Sequence, residues 1–422
     1  MHTVIVDGDI SYPPTSGKRL RTLNLMLPLA KRHRLTYIAR GAADSDEAKE
    51  ATAFLEGHGI RTLIVDHPLP RKAGPLFSAR LAANLLSPLP YSVASHQSAK
   101  MREAVETYAA RHKVDVWQFE WTGYVDTLRR PDARKVVNAP NVDSLIWQRY
   151  WEAETNPLRR LYIRGQWRKF ERFERRVFRA ATRLVAVSDA DARLMRERFG
   201  VAGADVVDNG IDRAFFERVE RRPDPQRILF LGALDWRPNL DALRLLLDDV
   251  MPRVRQQEAR AKLCVVGRRP PAWLCERTRD NRAVELHADV ADVRPYLAEC
   301  GVMVVPLRVG GGSRLKILEA LACGLPVIAT RVGAEGLCLT PGRDYELADG
   351  AKQLTAALVD SLRHPERHRA MAERGRAVVR ERYGWDGLAA KLERVWELSV
   401  VSGQLSVGPG GRAASDVSLT TN

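Results

Sequence analysis

The stretch VPLRVGGGSRLKILEALACGLPVIAT, residues 305–330, decides the fold. It contains the end of a buried strand, a glycine-rich loop, a helix that begins near Ser313 and a second apolar strand. This order is typical of one strand–helix–strand unit in a parallel sheet. Gly310, Gly311 and Gly312 let the backbone approach a ligand closely, and the helix start offers unpaired N–H groups and the positive end of its dipole. The segment therefore predicts an anion-binding site at the end of a strand.

Charged side chains cluster around this helix start. Arg314 and Lys316 add positive charge, and Glu319 is placed further along the helix to accept hydrogen bonds from ribose hydroxyls. A tight connection between strand and helix would also use glycines, but glycines combined with a hydroxyl and two cations favour phosphate binding. The segment is neither a dinucleotide fingerprint of the G-x-G-x-x-G type nor a P-loop ending in G-K-[ST].

Strand-like apolar runs alternate with helical patterns on both sides of this segment. They are HTVIVD at the N-terminus, RLTYIA (34–39), IRTLIV (60–65), VDVWQF (114–119), RKVVN (134–138), RLVAVS (183–188), RILFLG (227–232), KLCVVG (262–267), VELHA (284–288), GVMVVP (301–306) and PVIAT (326–330). Such alternation predicts parallel sheets with helices on both faces. The fold class is therefore α/β, with two doubly wound, Rossmann-like domains that face a central cleft.

The chain of 422 residues, 45% hydrophobic, is long enough for two packed cores. We predict a first domain over 1–219, a linker over 220–226 and a second domain over 227–384. A last helix over 385–398 is available to pack back on the first domain, and 399–422 has too little apolar content to pack, which predicts a disordered tail.

The composition restricts location and partners. A net charge of +15 favours an anionic partner, which nucleic acid, a phosphorylated substrate or an acidic lipid surface would each satisfy. The five cysteines form no C-x-x-C pair and are interpreted as reduced core residues, not as a metal site or a disulfide framework. No apolar run approaches the roughly 20 residues that cross a bilayer, and MHTVIVDGD is unlike a signal peptide, so we expect a cytoplasmic protein.

Together these segments resemble the retaining glycosyltransferases of the GT-B fold, specifically the bacterial group 1 (family 4-like) enzymes of exopolysaccharide and lipopolysaccharide biosynthesis. GGGSRLKILEALACGLPVIAT is similar to the donor motif of that family, in which two glutamates precede an A-x-A-x-G-x-P-V-I segment. The other matching pieces are YPPTSGKRLRTLNL near the N-terminus, NVDSLIWQRYW (141–151), AVSDADARLM (186–195), VDNGID (207–212) and FLGALDWRPNLDAL (230–243). The resemblance covers about residues 1–398, and it implies that 1–219 form the acceptor domain and 227–384 the donor-binding domain.

The resemblance implies a hexosyltransferase-type enzyme that moves a sugar from a nucleotide-sugar donor to a glycan or a polyprenyl-diphosphate-linked acceptor. It also implies retention without a protein nucleophile. Glu319 matches the second glutamate of the family, whereas the first falls on Gly311. Ala233 and Pro238 stand where many members carry an arginine and a lysine that hold the donor diphosphate. Four nearby cations are candidates to replace them, of which we favour the first two: Arg314, Lys316, Arg237 and Arg268.

Two positions in the first half also belong to the predicted site. Gly17 follows the first strand and would approach the donor phosphate, although a simple turn also explains it. Glu120 stands where the resemblance places an acidic or histidine residue near the reacting sugar, and the alternative is a structural carboxylate. The predicted catalytic residues are Glu120, Lys316 and Arg314. The predicted donor-binding residues are Gly17, Arg237, Gly267, Arg268, Gly310, Gly311, Gly312, Ser313 and Glu319.

No metal cofactor is expected. Asp7 with Asp9 and Asp189 with Asp191 each form a D-x-D pair, but the first pair ends a strand and the second starts a helix, which favours turn and capping roles. Cations and the helix start would then offset the charge on the leaving diphosphate.

The segment 157–183 is strongly basic, and its apolar residues recur at helical spacing. One interpretation is a long helix with a solvated basic face; the other is a surface that meets acidic headgroups on the inner face of the plasma membrane or a lipid-diphosphate acceptor.

Three rival functions remain at this stage. A GT-B epimerase or hydrolase would use the same nucleotide sugar, and a catalytically inactive binder would fit the substitutions at Gly311, Ala233 and Pro238. A nucleic-acid-binding protein is suggested by charge alone. Because the arginines are spread over the whole chain and no recognised module appears, we expect no nucleic acid partner.

Overall fold

The computed structural model describes residues 1–70, 74–309 and 315–405. The first half forms a parallel sheet of seven strands, β1 (His2–Val6), β2 (Arg34–Gly41), β3 (Ile60–Asp66), β4 (Val116–Phe119), β5 (Lys135–Ala139), β6 (Arg183–Ala186) and β7 (Ala204–Val206). Their spatial order is β3-β2-β1-β4-β5-β6-β7. Within the described residues, nine helices surround this sheet or follow it. They are α1 (Gly17–Ala30), α2 (Asp46–Gly57), α3 (Pro75–Asn84), α4 (Tyr91–His96), α5 (Ala99–Arg111), α6 (Asp143–Ala153), α7 (Pro157–Ala180), α8 (Asp189–Phe199) and α9 (Arg213–Glu217). A 3₁₀ turn spans Thr122–Thr127.

The second half forms a parallel sheet of six strands in the order β10-β9-β8-β11-β12-β13. These are β8 (Asp224–Leu231), β9 (Lys262–Gly267), β10 (Val284–Ala288), β11 (Cys300–Val305), β12 (Val327–Ala329) and β13 (Glu346–Leu347). The helices are α10 (Arg237–Leu245), α11 (Met251–Gln257), α12 (Ala272–Arg279), α13 (Arg294–Glu299), α14 (Leu315–Ala322), α15 (Gly350–Arg363), α16 (Pro365–Arg382) and α17 (Trp385–Leu405), with a π turn at Leu246–Val250.

Continuous apolar runs explain the central strands. In β11 the run CGVMVV is buried along nearly its whole length, as expected of a strand that is covered by helices on both faces. We call the β1–β7 sheet with its helices the first lobe, and the β8–β13 sheet with its helices the second lobe. Each lobe has its own buried apolar core, as the alternation of strands and helices predicts.

The helix α17 returns to the first lobe, where it packs beside α1. Trp396 is fully buried there, and its Nε1 donates a 2.6 Å hydrogen bond to Oε1 of Gln118 in β4. Glu393 on the same helix lies 2.6 Å from Nε2 of His33. The last helix therefore completes the hydrophobic core of the first lobe.

The domain limits differ from the sequence prediction in three places. Strand β8 begins at Asp224, so residues 224–226 of the predicted linker are strand. Ile211 and Phe216, placed in the first domain by sequence, pack in the core of the second lobe. The helix α17 continues to Leu405 because Leu398 and the residues after it keep helical hydrogen bonding, so the prediction of a disordered tail is wrong for 399–405. Residues 406–422 lie outside the described residues.

Candidate active site between the two lobes

The carboxyl ends of β8 and β9 and the start of α14 meet at one edge of the second lobe. The ammonium Nζ of Lys316 donates a 3.2 Å hydrogen bond to Oδ1 of Asn239 and lies 5.3 Å from the ring centroid of Phe230, the penultimate residue of β8. Asn239 is held in turn by a 2.8 Å bond from its Nδ2 to the carbonyl oxygen of Ala233. The charge of Lys316 is therefore fixed beside the end of the central strand, where open parallel sheets bind ligands.

Two glycines allow the backbone to come close at this edge. A methyl group built on Gly232 would lie 2.9 Å from Nζ of Lys316. One built on Gly267 would lie 1.9 Å from the carbonyl oxygen of Gly232. The sequence predicted a ligand contact for Gly267; the structure gives it a close backbone contact with the neighbouring loop.

We therefore expect Gly267→Ala to lower the free energy of unfolding by about 2–3 kcal/mol, because an added methyl group would collide with a backbone atom that cannot turn away. Urea unfolding followed by circular dichroism measures this. Gly165→Ala in α7 is the matched control, since nothing lies within 4 Å of its new methyl group, and a helical alanine should leave stability unchanged or raise it by about 0.5–1 kcal/mol. Equal stability of Gly267→Ala and the wild type would contradict this account.

Glu319 lies on α14 one turn after Lys316 and is half-buried. Burial raises the pKa of its carboxyl group to about 7, and the charge of Lys316 partly opposes that rise. The group is thus poised to ionise near neutral pH, when a hydrogen-bond donor or a positive charge reaches it.

The first lobe faces this edge through the loop before α1. A methyl group built on Gly17 would lie 3.1 Å from Cδ1 of Leu315, the first residue of α14. The guanidinium of Arg268 donates a hydrogen bond to the carbonyl oxygen of Thr15. We call the region where Thr15–Gly17 of the first lobe face Gly232, Gly267, Arg268 and Lys316 of the second the interlobe gap.

The structure thus brings Gly17, Gly267, Arg268 and Lys316 to the interlobe gap, and Glu319 lies one helical turn after Lys316 on α14. The predicted residues Gly310, Gly311, Gly312, Ser313 and Arg314 lie outside the described residues. Leu315 follows that segment directly and contacts the first lobe, so the start of α14 is directed toward the interlobe gap.

Arg237, predicted to bind the donor, is engaged by the first lobe. Its guanidinium lies 3.1 Å from Oε2 of Glu154 and 4.9 Å from the ring centroid of Tyr150. A second ion pair between the lobes joins Arg149 to Glu335 through two bonds of 2.6 Å. In this arrangement Arg237 helps to join the lobes beside the interlobe gap.

Glu120, predicted to be catalytic, lies in the interior of the first lobe and is 3% exposed. Its Oε2 accepts a 2.9 Å hydrogen bond from Thr22, and its Oε1 accepts bonds from Gln118 and, at 2.9 Å, from Asn138. Because both oxygens are occupied by buried donors, this placement favours the structural alternative over direct contact with a sugar.

Each D-x-D pair has side-chain partners within the first lobe. Asp7 pairs with Lys18, and Asp9 receives 2.7 and 3.0 Å bonds from the guanidinium of Arg19. Asp191 accepts a 2.6 Å bond from the hydroxyl of Ser188, the residue that caps α8.

One cluster among the described residues has the composition of a metal site. Cys264, Glu285 and His287 place potential ligand atoms within 4.8 Å of one another. The guanidinium of Arg227, however, lies 2.7 Å from Glu285 and 3.8 Å from the sulfur of Cys264. A fixed positive charge at that position opposes the binding of a metal cation.

Sequence reasoning missed a buried carboxyl pair between α6 and α7 of the first lobe. Glu174 of α7 accepts 2.6 and 3.2 Å bonds from the backbone N–H groups of Asp143 and Ser144 and so caps α6. Burial raises the pKa of Asp143, and burial together with the charge of Asp143 raises the pKa of Glu174. Nothing in the sequence sets this glutamate apart from the other charges of 157–183, so only the three-dimensional packing reveals it.

Comparison with known proteins adds three findings. Residues 225–364 match the family model described as glycosyl transferases group 1. A D-inositol 3-phosphate glycosyltransferase of Catenulispora acidiphila is 28% identical over 254 residues, which cover 54% of this chain and 58% of that protein. The chain thus spans about half the length of the curated relatives that it matches.

Solved structures share the whole fold. Sucrose-phosphate synthase from Thermosynechococcus elongatus superposes with a TM-score of 0.68 at 16% identity, over 95% of this chain and 100% of that one. Anabaena HepE, solved in complex with UDP and glucose, superposes with a TM-score of 0.64 at 13% identity, over 94% and 100% of the two chains. These likenesses confirm the predicted two-lobe GT-B fold.

Proposed function

We propose that this protein moves a sugar from a nucleotide-sugar donor to an acceptor. The premise is that residues 225–364 match the group 1 glycosyl transferases within a chain of the GT-B fold. One observation carries the proposal: Lys316 and Glu319 lie one turn apart at the start of α14, at the carboxyl edge of the second sheet and opposite Gly17. A cation followed by a carboxylate suits a diphosphate followed by a ribose.

The chemistry of the leaving group explains the need for positive charge here. Breaking the bond between sugar and phosphate leaves negative charge on a nucleoside diphosphate, and preorganised cations stabilise that charge best. Lys316 and the N-terminal end of α14 supply it at the interlobe gap, and Arg268 is the next cation along the rim. We propose that these groups act without a bound metal.

The acceptor enters from the first lobe. In a transfer with retention the acceptor hydroxyl attacks on the face from which the diphosphate departs, so the departing phosphate oxygen can take the proton and no protein nucleophile is required. On this proposal Glu120 is a positioning residue, since its carboxylate joins Thr22 of α1 to Asn138 of β5 behind the first-lobe edge.

A ligand screen tests the proposal. We expect one class among UDP-, GDP-, ADP- and dTDP-sugars to raise the melting temperature, because a ligand that binds only the native state stabilises it by about 2.7 kcal/mol at a hundredfold excess over Kd. Release of the nucleoside diphosphate that requires an added acceptor would then separate transfer from hydrolysis or epimerisation. The absence of a shift with every donor, in protein that melts cooperatively, would refute the proposal.

The raised pKa of Glu319 predicts how donor affinity depends on pH. Ribose hydroxyls donate to an ionised carboxylate, and a group with a pKa of about 7 passes from mostly protonated at about pH 6 to mostly ionised at about pH 8. We therefore expect donor affinity to rise about tenfold across this window. Calorimetric titration at several pH values measures it, and Glu319→Gln should remove most of the dependence.

The stability of the free protein should change with pH in the opposite direction. The folded chain keeps the proton of Glu319 up to a pH of about 7, whereas the unfolded chain releases it near the ordinary value of 4.5. Because the unfolded state binds fewer protons between these values, this group lowers the free energy of unfolding as pH rises through that window.

A profile of donor affinity against pH that is flat in the wild type, or unchanged in Glu319→Gln, would exclude Glu319 from the donor site.

We also propose that the protein works in the cytoplasm against the inner face of the plasma membrane, in the synthesis of a cell-surface polysaccharide. No helix within the described residues has the length and hydrophobicity for a bilayer crossing. The basic helix α7 instead exposes Leu158 and Leu161 near its start. Leu85 and Leu86, which follow α3, are also exposed. They lie beside α7, because Lys169 of that helix donates a 2.7 Å bond to the carbonyl oxygen of Asn84. Leucines ringed by arginines suit an acidic lipid surface.

Flotation with vesicles tests this surface. We expect binding to vesicles that contain phosphatidylglycerol, weaker binding at raised ionic strength, and a several-fold loss in the double variant Leu158→Ser/Leu161→Ser. Val401→Ser is the matched control, because it changes an exposed apolar residue of α17, a helix that packs in a different apolar cluster of the first lobe from α7. The absence of binding to either kind of vesicle would argue for a merely solvated helix face, and equal binding to neutral vesicles would contradict the role of the basic residues.

A further inference from the structure

A groove of about 570 Å³ opens beside the interlobe gap, between α6 and α7 of the first lobe and α10 of the second. Its lining includes Arg237, the first residue of α10, which follows the loop after β8 that carries Gly232. It also includes Leu158 at the start of α7. We call this space the side groove.

One wall of the side groove is apolar and aromatic. Trp147, Tyr162 and Ile163 line it, and Leu158 continues the apolar wall to the outside with 79% of its surface exposed. Leu161 on the same helix is 68% exposed. The side groove is therefore continuous with the exposed leucines that we assign to the membrane surface.

The remainder of the lining is cationic. Arg159, Arg237 and Arg244 are the lining residues with a positive charge, against the single carboxylate of Glu154 in this lining. Glu154 pairs with Arg237, so Arg159 and Arg244 give the groove its excess positive charge. Arg244 lies 4.9 Å above the ring of Trp273, which restricts its orientation.

We propose that the side groove holds a lipid-linked acceptor, with an anionic diphosphate on Arg159 and Arg244 and the first part of an apolar chain against Trp147 and Tyr162. Guanidinium groups bind phosphate oxygens through two parallel hydrogen bonds, whereas a free inorganic anion would gain no favourable contact with the aromatic wall. In this pose the sugar lies on the side of Arg237, near the loop that carries Gly232, and the chain lies on the side of the exposed Leu158. This assignment rests on the proposed transfer reaction and supplies its acceptor site.

Farnesyl diphosphate is a suitable probe because it combines a diphosphate with an isoprenoid chain at a soluble size. Calorimetric titration of the full chain should show binding of farnesyl diphosphate, with farnesol and inorganic pyrophosphate each at least about tenfold weaker. The affinity should be unchanged when the donor site is saturated with the nucleotide sugar that gives the largest thermal shift. Displacement by that nucleotide, or equal affinity for farnesol, would overturn the proposal.

Variants locate the site. Arg159→Gln and Arg244→Gln should each weaken binding of farnesyl diphosphate about tenfold, as expected for the loss of one hydrogen bond to a charged group. Tyr162→Ser should weaken farnesyl diphosphate but leave pyrophosphate unchanged. Arg172→Gln is the control, because it removes an exposed charge from the same helix outside the groove. An equal loss of affinity in Arg172→Gln would mean that general electrostatic attraction binds the probe, and it would refute binding in the side groove.

The thermal shift with nucleotide sugars is measured on the same variants, so that a failure of the acceptor site can be distinguished from a failure of the transfer reaction. Arg159→Gln should keep the thermal shift with the nucleotide sugar, because the side groove lies outside the donor site. A lost donor shift in that variant would overturn the separate acceptor site. If the wild type bound farnesyl diphosphate but gave no thermal shift with any nucleotide sugar, the side groove would remain a binding site and the proposed sugar transfer would be refuted.

Discussion

Lys316→Ala should lower kcat/KM for sugar transfer by about 100- to 1000-fold. The ammonium group is fixed by Asn239 at the carboxyl end of β8, beside the N-terminal end of α14, where the leaving diphosphate gains charge. Removing one preorganised donor to a developing negative charge costs about 3–4 kcal/mol of transition-state stabilisation. Because Lys316 also attracts the diphosphate of the bound donor, donor affinity should fall as well, by a smaller factor. Steady-state kinetics with the donor found in the screen, together with direct titration of that donor, measures both effects.

Two further variants separate this role from a general effect of charge. Lys316→Arg keeps the charge but not the geometry of the ammonium, and we expect it to recover only part of the rate. Lys49→Ala removes an exposed charge on α2 and should match the wild type. If Lys316→Ala kept more than about a tenth of the wild-type kcat/KM, the diphosphate would have to be held by other groups and the proposed site would be wrong.

Trp396→Ala should lower the free energy of unfolding by about 3–5 kcal/mol, a large part of the stability of a typical domain. Trp396 is the largest fully buried side chain, and its truncation would leave a cavity between α17 and the first sheet. It would also leave the amide of Gln118 without the hydrogen bond from the indole. Urea unfolding monitored by circular dichroism measures the loss.

Leu398→Ala on the same helix provides the comparison, since Leu398 is 37% exposed and its loss should change stability by only about 0.5–1 kcal/mol. Trp396→Phe should fall between the two, because it keeps most of the buried volume and loses the hydrogen bond. A Trp396→Ala protein as stable as Leu398→Ala would mean that α17 is dispensable for the first lobe.

The sequence predicted the general organisation because that organisation depends on local patterns. Alternating apolar runs and helical periodicity indicated two parallel α/β sheets, and the order of residues after β11 placed Lys316 and Glu319 on one helix. Gly17 lies against the start of α14, and its contact with a donor phosphate stays a prediction. These inferences need only strand direction and helix spacing, which short segments determine.

The sequence did not predict the contacts between distant parts of the chain. The position of Arg237 depends on Glu154 and Tyr150, which belong to the other lobe. The burial of Glu120 depends on donors from α1 and β5, and a strand-end position alone cannot reveal them. No local pattern specifies such pairs, so the sequence supplied candidate residues for the site without their partners.

The packing of α17 on the first sheet also affects how this protein forms during synthesis. Residues 1–206 contain every strand of the first sheet, yet Leu388, Leu392 and Trp396 of its core are translated only after the whole second lobe. The nascent first lobe must therefore leave the ribosome with an open apolar face on β1 and α1 and wait for its last helix. Chaperone binding to stalled chains should persist until Trp396 has emerged, and a chain that stops before Trp385 should aggregate even though its second lobe is complete.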